Sequence, residues 1–479
     1  MLSKLVSPQL ALPNHGTWLA RNGAALAGLI FLLAFYWRGL GDWFYQDDFG
    51  WLHLGPATGF INFLSILFEP KAHGNIRPWS ENLFFYGLKA LFGVNPLPFR
   101  IVVFATVGAD VVLLAALVRR LTGSVLAAAS APILWLANPN VAPALCWTSI
   151  YNESQYLVFV LLAFLLFLKG KYWQQLIVFG LGLGSLEMAV MYPAIVLAYT
   201  LLYDRAKALR TAPLFAISAA FTALHFWVAP AAKSGPYAIH IDARMFHTLA
   251  AYIQLALGPQ DLAQFNWDWP AWLTVAGTVV IGAVVIVAIL VAGRPGLFGL
   301  AWFLALLAPM LPLPEHVEEY ALTGPVMGLA IILAAALARR PRVMAGVAAL
   351  YLAICLPAAW DVTSWHIARS FISRDLVTGI VAYDRAHPDK TLLITGLSTD
   401  QFYAGFADRP FDSFGLQNVF IAPDGANQVN DLRGWVPQYK LTDATVRALL
   451  NAGKATVLDV SNGRMDDVTG RYALPAASN

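Results

Sequence analysis

Long apolar stretches alternate with short polar connections over the first 360 residues of the chain. A helix needs about 20 apolar residues to cross the hydrocarbon core of a bilayer. On this scale the pattern predicts eleven transmembrane helices, at 23–40, 97–118, 123–138, 152–168, 173–186, 189–203, 212–230, 270–292, 296–313, 321–338 and 343–360. The fifth and sixth are short and Glu187 falls between them, which also fits a broken or re-entrant pair covered by protein or facing a water-filled cavity.

The chain becomes more polar after residue 360. Residues 361–479 contain two strand-like runs, at Thr391–Thr395 and at 455–460. They also contain a helical pattern at 442–451, with Thr442 or Asp443 near its N-cap and Gly453 just past its end. The expected fold class is therefore an all-α polytopic membrane protein at 1–360, followed by a small α/β domain at 361–479.

Composition agrees with a membrane protein. The chain is 58% hydrophobic and 12% charged, with a mean hydropathy of +0.61, whereas soluble proteins carry about 25% charged residues. A net charge of +3 without a basic patch gives no indication of a nucleic-acid partner. Cys146 and Cys355 are expected to be separate buried thiols, and a disulfide between outer span ends is the alternative.

Basic residues set the expected orientation, because cytoplasmic loops are enriched in Lys and Arg. Alternate connections carry Lys4, Arg21, Arg119, Arg120, Lys169, Lys171, Arg205, Lys207, Arg210, Arg294, Arg339, Arg340 and Arg342. The connections at 139–151 and 314–320 carry neither Lys nor Arg. The N-terminus is therefore predicted to be cytoplasmic and the C-terminal domain extracytoplasmic, with the first span retained as an uncleaved anchor.

Carboxylates before residue 361 are concentrated on this predicted outer face. Of the fifteen Asp and Glu residues there, only Asp110 and Asp204 lie elsewhere. The first loop, residues 41–96, begins with the adjacent pair Asp47 and Asp48 beside aromatic residues. Neighbouring like charges raise one pKa, and a half-desolvated aspartate is a competent general base. A solvated acidic loop is the alternative interpretation.

Other polar groups of the outer face could bind phosphate or sugar. The candidate cations are Lys71, Arg77, Lys233 and Arg244. Lys71 and Arg77 could instead serve as ordinary membrane anchors beside an amphipathic segment, 78–92, that is typical of an interfacial helix. The candidate acids and their neighbours are Glu153, Glu187, Glu315, His316, Glu318, Glu319 and Tyr320. The spacing in the 314–320 hairpin matches no specific metal-ligand pattern.

Four short motifs occur in order along residues 1–340. They are Tyr-Gln-Asp-Asp-Phe at 45–49, Arg-Pro at 77–78 with Leu-Phe-Gly-Val-Asn-Pro at 91–96, Ser-Leu-Glu at 185–187, and Leu-Pro-Glu-His at 313–316. With the topology, they resemble the C-type glycosyltransferase superfamily. Within it, they are most similar to bacterial relatives of the dolichyl-phosphate-mannose protein mannosyltransferases and the tetratricopeptide-linked mannosyltransferases. Leu186 departs from the family's usual Ser-Lys-Glu, and the C-terminal domain adds nothing to the resemblance.

The resemblance implies a membrane glycosyltransferase of the bacterial inner (cytoplasmic) membrane. Such an enzyme moves a sugar, with inversion, from a polyprenyl-phosphate donor to a glycan, lipid or protein acceptor on the outer face. By the same resemblance Asp47 is the general base and Asp48 is a helper or metal contact.

The remaining site residues follow from the same comparison and from their place on the outer face. Donor phosphate would be bound by Arg77, Lys71, Lys233 and Arg244, and sugar or acceptor by Glu153, Glu187, Glu315, His316, Glu319 and Tyr320. The sequence specifies no cofactor and leaves metal dependence open: only the outer carboxylates favour a divalent cation, Mg²⁺ or Mn²⁺.

Two other functions fit a chain of this composition. A transporter or flippase for lipid-linked sugars would be expected to show inverted repeats around a site near the membrane midplane, and this sequence shows no repeat. A membrane scaffold that displays the C-terminal domain would not need Asp47 at all.

Overall fold

The computed structural model describes residues 18–55, 57–70, 75–257 and 271–472. Helices predominate in these ranges, and the strands are confined to the C-terminal part. The α-helices are α1 (Trp18–Tyr36), α2 (Asp48–Leu52), α3 (Phe60–Phe68), α4 (Phe84–Phe92), α5 (Pro96–Thr122), α6 (Val125–Leu136), α7 (Ala142–Cys146), α8 (Tyr151–Leu168), α9 (Tyr172–Leu183), α10 (Tyr192–Tyr203), α11 (Ala212–Val228), α12 (Arg244–Leu257), α13 (Ala271–Ala292), α14 (Arg294–Leu307), α15 (Val326–Arg339), α16 (Pro341–Ala386), α17 (Thr399–Gly405) and α18 (Asp443–Asn451). The strands are β1 (Thr391–Thr395), β2 (Val419–Ile421), β3 (Ala455–Asp459) and β4 (Asp466–Asp467).

Several helices are long and apolar enough to cross a membrane. Within the described ranges these are Gly23–Gly41, Pro96–Thr122, Thr148–Leu168, Arg205–Val228, Val275–Ala292 and Pro341–Ala386. A seventh crossing is formed if α6 and the following Pro139–Cys146 segment, bent by 71°, count as one span. The chain is thus a multi-pass membrane protein. Each of the eleven predicted segments coincides with a helix, but several of these helices are short, so the number eleven stays a prediction.

The junction around Glu187 is a break in the helical structure. Helix α9 ends at Leu183, Leu186 is extended, and a short 3-10 helix at Glu187–Met191 leads into α10. The first loop covers this break, because Trp79 N donates to Gly184 O at 3.2 Å. The broken pair suggested by the sequence therefore has a protein cover.

Helix α16 crosses the predicted domain boundary. It runs without interruption for 46 residues, although Pro357 lies inside it. The boundary predicted at residue 361 falls inside this helix, and the domain division stays a prediction. The polar segment that follows residue 361 stays helical because one of its faces is apolar: Leu376, Val377 and Ile380 are buried against the C-terminal domain.

The C-terminal domain is built on a four-stranded sheet in the order β2-β1-β3-β4. Strand β1 pairs in parallel with β2 and β3, and β4 is antiparallel to β3. Both predicted strands are confirmed. The predicted helix is confirmed as α18, with the Thr442 side chain accepting from Thr445 N at 3.2 Å and Gly453 at a φ of +67° just past its end. Cys146 and Cys355 are buried free thiols, as expected.

The first loop and the C-terminal domain share one hydrophobic core. Trp43, Phe44 and Phe49 are buried in the same cluster as Phe402 and Phe406. Two hydrogen bonds join the same partners: Gln46 N donates to Ala404 O at 2.9 Å, and His53 Nε2 lies 2.8 Å from Arg409 O. The loop that follows α1 therefore packs directly on the domain that follows α16.

Close packing of α14 on α15 depends on glycine. A Cβ on Gly328 would lie 2.8 Å from Phe303 N and would overlap Gly299 O. We expect Gly328→Ala to destabilise the helix pair, since overpacking costs about 1–3 kcal/mol. The measurement is the midpoint of heat-induced aggregation in detergent, followed by size-exclusion chromatography.

The matched control for this substitution is Gly346→Ala in α16. A Cβ at Gly346 meets nothing within 4 Å, and replacing glycine by alanine in a helix gains roughly 0.5–1 kcal/mol. We expect the control to match or exceed the wild-type midpoint. Equal midpoints for the two variants would contradict the α14–α15 packing.

Candidate functional site

Asp48 is a fully buried carboxylate with all of its contacts inside the protein. Its Oδ1 accepts from Ser149 N at 2.7 Å and from Ser149 Oγ at 2.6 Å, and its Oδ2 accepts from Tyr45 N at 3.1 Å. Burial raises its pKa to about 7, against the effect of these hydrogen bonds. Asp48 thus fastens the first loop to the turn before α8, and the structure gives it no open side for a metal ion or a substrate.

The turn that carries Asp47 is held in a strained conformation. Gln46, the preceding residue, has a φ of +52°, which is uncommon for a side chain of this size. Tyr45 anchors the other side of the turn, because its hydroxyl lies 2.6 Å from His366 Nδ1 and its ring stacks on Trp147. With Tyr45 and Asp48 both directed inward, the intervening Asp47 is directed outward.

Asp47 is exposed to solvent, although the surrounding protein desolvates its carboxylate in part. Desolvation raises the pKa of Asp47, and the positive charge of Arg433 lowers it in part. Of the adjacent pair, Asp47 is therefore the member available for chemistry.

Three other charged groups lie within electrostatic range of Asp47. Burial raises the pKa of Glu318 to about 6, with Arg433 lowering it and Asp47 raising it. Burial also raises the pKa of Asp408 to about 6, with Asp47 raising it further and Arg433 lowering it. Asp47, Glu318, Asp408 and Arg433 thus act on one another, and we call these four residues the acidic hollow.

The 314–320 hairpin forms one wall of the acidic hollow. His316 Nδ1 lies 3.7 Å from Glu318 Oε1, and the His316 ring is 4.5 Å from the ring of Tyr237. Tyr320 meets Trp147 edge to face, and Glu319 is buried. Three of the four hairpin residues predicted to bind sugar therefore lie at or behind this wall, while Glu315 is exposed.

The C-terminal domain contributes Asp408 through a second strained turn. Asp408 and Arg409 have φ values of +62° and +50°, and conformations of this kind cost of the order of 1–3 kcal/mol each. The turn is held by Tyr439, whose hydroxyl accepts from Asp408 N at 3.1 Å. Arg409 and Tyr439 also line a cleft of about 340 Å³ on the domain. Strained backbone therefore occurs both at Gln46, next to Asp47, and at Asp408, and these two acids lie within electrostatic range of each other.

Arg77 does not have a free guanidinium. Its Nε donates to Glu187 Oε2 at 2.8 Å, and another nitrogen donates to Glu81 Oε1 at 2.5 Å. Although burial lowers the pKa of Arg77, the two carboxylates raise it more. In the structure Arg77 and Glu187 form an ion pair beside the α9–α10 break, and the roles predicted for them in phosphate and sugar binding stay predictions.

The other predicted cations are not gathered at the acidic hollow. Arg244 is exposed and paired with Asp242 at 2.6 Å and with His240 at 2.5 Å. Lys233 is exposed on the 231–243 loop. Lys71 lies outside the described residues. The phosphate-binding role predicted for Arg244 therefore competes with an existing ion pair.

Glu153 lies at the outer end of α8 and is buried. Its Oε2 has no hydrogen-bond partner within the described ranges. Arg77 and Glu187 lie within electrostatic range of it. The role of Glu153 in sugar binding stays a prediction.

Sequence reasoning missed the contribution of the C-terminal domain. Glu318 belongs to a hairpin whose acids stand out in the sequence, but Asp408 and Arg433 belong to no recognisable motif. Only the packing of the domain on the first loop brings them to Asp47. In the parts of the chain that the structure describes, no group of three or more His, Cys, Asp and Glu side chains is placed to hold a metal ion.

The contrast between Asp47 and Asp48 gives a stability prediction. Asp48→Asn must point its amide NH₂ at a donor of either Ser149 or Tyr45, and an unsatisfied buried donor costs about 1–3 kcal/mol. We expect a lower thermal midpoint for this variant. Asp466→Asn, an exposed change in β4, should leave the midpoint unchanged. A wild-type midpoint for Asp48→Asn would argue against its anchoring role.

Comparison of the chain with protein-family models, with curated proteins and with solved structures returns no match.

Proposed function

We propose that this chain is a membrane glycosyltransferase that moves a sugar from a polyprenyl-phosphate donor to an acceptor on the extracytoplasmic face. The acceptor is a cell-envelope glycan, a lipid or a protein. The observation that supports the proposal most directly is the Asp47 carboxylate, which is exposed to solvent, lies within electrostatic range of Glu318, Asp408 and Arg433, and has a pKa raised by desolvation.

A single base is sufficient for the transfer step. Asp47 accepts the proton of an acceptor hydroxyl or amine while that oxygen or nitrogen forms a bond to the anomeric carbon of the donor sugar. The bond from the anomeric carbon to the phosphate oxygen breaks, and its electron pair leaves with the polyprenyl phosphate. Direct displacement from the opposite face inverts the anomeric centre. The resemblance to the C-type superfamily agrees with this chemistry.

The meeting of the predicted outer connections supports the proposed topology. Ser149 from the 139–151 connection binds Asp48, Glu187 binds Arg77 of the first loop, and Tyr237 packs on His316 of the 314–320 hairpin. All of these contacts lie on the side of the first loop and the C-terminal domain. That side is the one predicted to be extracytoplasmic.

The predicted cytoplasmic connections meet elsewhere in the structure. Arg339 NH1 donates to Val291 O at 3.3 Å and stands against Gly293, so the α13–α14 and α15–α16 connections are neighbours. An even number of crossings must separate the first loop from the C-terminal domain, since the two pack together. Eleven crossings in total satisfy this requirement.

A transporter of lipid-linked sugars is the second candidate. Asp110 favours it, because this residue is fully buried in α5 and neither carboxyl oxygen has a hydrogen-bond partner in the described ranges. Ionisable residues inside spans commonly mark transport pathways. Release of free polyprenyl phosphate that depends on donor and acceptor separates the two functions, because a flippase leaves the sugar–phosphate bond intact.

The central test is Asp47→Asn in the full-length protein. Removal of a general base typically costs about 10²- to 10⁴-fold in rate, and we expect a loss of this size in the release of polyprenyl phosphate. Because Asp47 is exposed and makes no side-chain anchor contact, the thermal midpoint should stay at the wild-type value. Asp466→Asn is again the matched control. Transfer at the wild-type rate by Asp47→Asn would remove the assignment of the base.

A second test uses pH. The base acts only when ionised, so transfer should fall as pH drops through the pKa of Asp47. Desolvation raises this pKa, which places the acid limb above the ordinary aspartate value of about 3.9. The measurement is single-turnover rate against pH, with the thermal midpoint recorded at each pH. A rate that stays constant down to pH 4 would contradict the assignment.

A further inference from the structure

Arg433, a member of the acidic hollow, stacks on an aromatic side chain of the same turn. Its guanidinium carbon lies 4.9 Å from the ring centroid of Trp435. The Asp431 carboxylate accepts from Trp435 N at 2.8 Å and from Val436 N at 3.1 Å, which fixes the turn that carries both residues. Stacking on an aromatic ring orients a guanidinium plane while leaving its N–H groups at the edge.

Trp435, on which Arg433 stacks, packs near the helix that binds the loop of Asp47. The Trp435 ring lies 6.2 Å from the ring of Tyr403 in α17. The next residue of α17, Ala404, accepts the hydrogen bond from Gln46 N. Arg433 and Asp47 are therefore held by two turns that contact the same short helix, so their separation is set by packing and not by a flexible tether.

Arg433 differs from the other arginines around the first loop in what it binds. Arg77 is paired with two carboxylates, Arg244 with Asp242, and Arg369 with Gln46 and Asp400. Among the residues that the structure describes, Arg433 forms no ion pair and no hydrogen bond, and its side chain is exposed. A cation placed only to neutralise the three acids of the hollow would be expected to contact at least one of them.

The chemistry of guanidinium points to the class of ligand. Its planar fork of donors matches the oxygens of a phosphate and often binds them in pairs. In the proposed transfer, negative charge develops on the phosphate oxygen as the sugar leaves. A fixed cation at that position stabilises the transition state more than the ground state.

On these grounds, and resting on the proposed function, we infer that Arg433 binds the phosphate of the donor lipid. The C-terminal domain then supplies the phosphate-binding cation and the first loop supplies the base. The donor sugar lies between the two, with its anomeric carbon facing Asp47 and its phosphate facing Arg433. Removal of the C-terminal domain would accordingly take away part of the site itself.

Binding of a lipid phosphate tests the inference without knowledge of the sugar or the acceptor. The probe is undecaprenyl phosphate, titrated against full-length protein in detergent, with undecaprenol as the uncharged counterpart. We expect Arg433→Ala to weaken binding of undecaprenyl phosphate about tenfold or more and to leave binding of undecaprenol unchanged. Arg433→Lys, which keeps the charge but loses the fork, should fall between wild type and Arg433→Ala.

Arg447→Ala is the matched control, because Arg447 is an exposed arginine of the same domain on α18. It should bind both lipids as the wild type does. A second measurement is the pH profile of transfer: loss of Arg433 removes a charge that lowers the pKa of Asp47, so the acid limb should move to higher pH. A merely structural change would lower the rate without moving the limb.

The outcomes separate this inference from the proposed function. Equal dissociation constants of wild type and Arg433→Ala for undecaprenyl phosphate would overturn the role of Arg433 and leave the proposed function standing. An equal loss for undecaprenol would overturn it too, since the effect would not involve phosphate. A wild-type protein that neither binds undecaprenyl phosphate nor releases it from a donor would overturn the proposed function as well.

Discussion

The aromatic contact between the first loop and the C-terminal domain is the constraint on which the site depends. Trp43, Phe44 and Phe49 are buried with Phe402 and Phe406 in one core, and the hydrogen bond from Gln46 N to Ala404 O fixes the register of the contact. Burial of a large aromatic side chain stabilises a fold by roughly 1.5–3 kcal/mol. Without these contacts Asp47 would lie on an open loop, and neither Asp408 nor Arg433 would be near it.

Charged groups around this contact fall into two sets with different physical roles. Arg100 is fully buried and donates to Gly39 O at 2.9 Å and to Thr148 Oγ1 at 3.2 Å, and Arg77 is held by two carboxylates. A buried charge is tolerated only when it is paired and hydrogen-bonded, so these arginines stabilise loops. The groups of the acidic hollow influence one another while Asp47 and Arg433 stay exposed, which leaves both available to a ligand.

Backbone strain marks the same location. Gln46, Asp408 and Arg409 are three of the four non-glycine residues with positive φ in the described ranges. Such conformations persist only where the surrounding structure enforces them. Here the surroundings are the shared aromatic core, the hydrogen bonds of Asp48 and the Tyr439 hydroxyl. Asp47 follows one of these strained residues and Asp408 is another, and the two acids lie within electrostatic range of each other.

The sequence by itself determined the helical spans, the strands β1 and β3, helix α18 and the prominence of the first loop. These features depend on the length and period of apolar runs, which are local properties of a chain. Only the tertiary structure decided that Asp47 is accessible while its neighbour Asp48 is buried, that Arg77 is paired, and that Arg433 faces the hollow. It also decided that α16 continues through residue 361. Burial and electrostatic interaction depend on distances between residues that are far apart in the chain, and no local pattern records those distances.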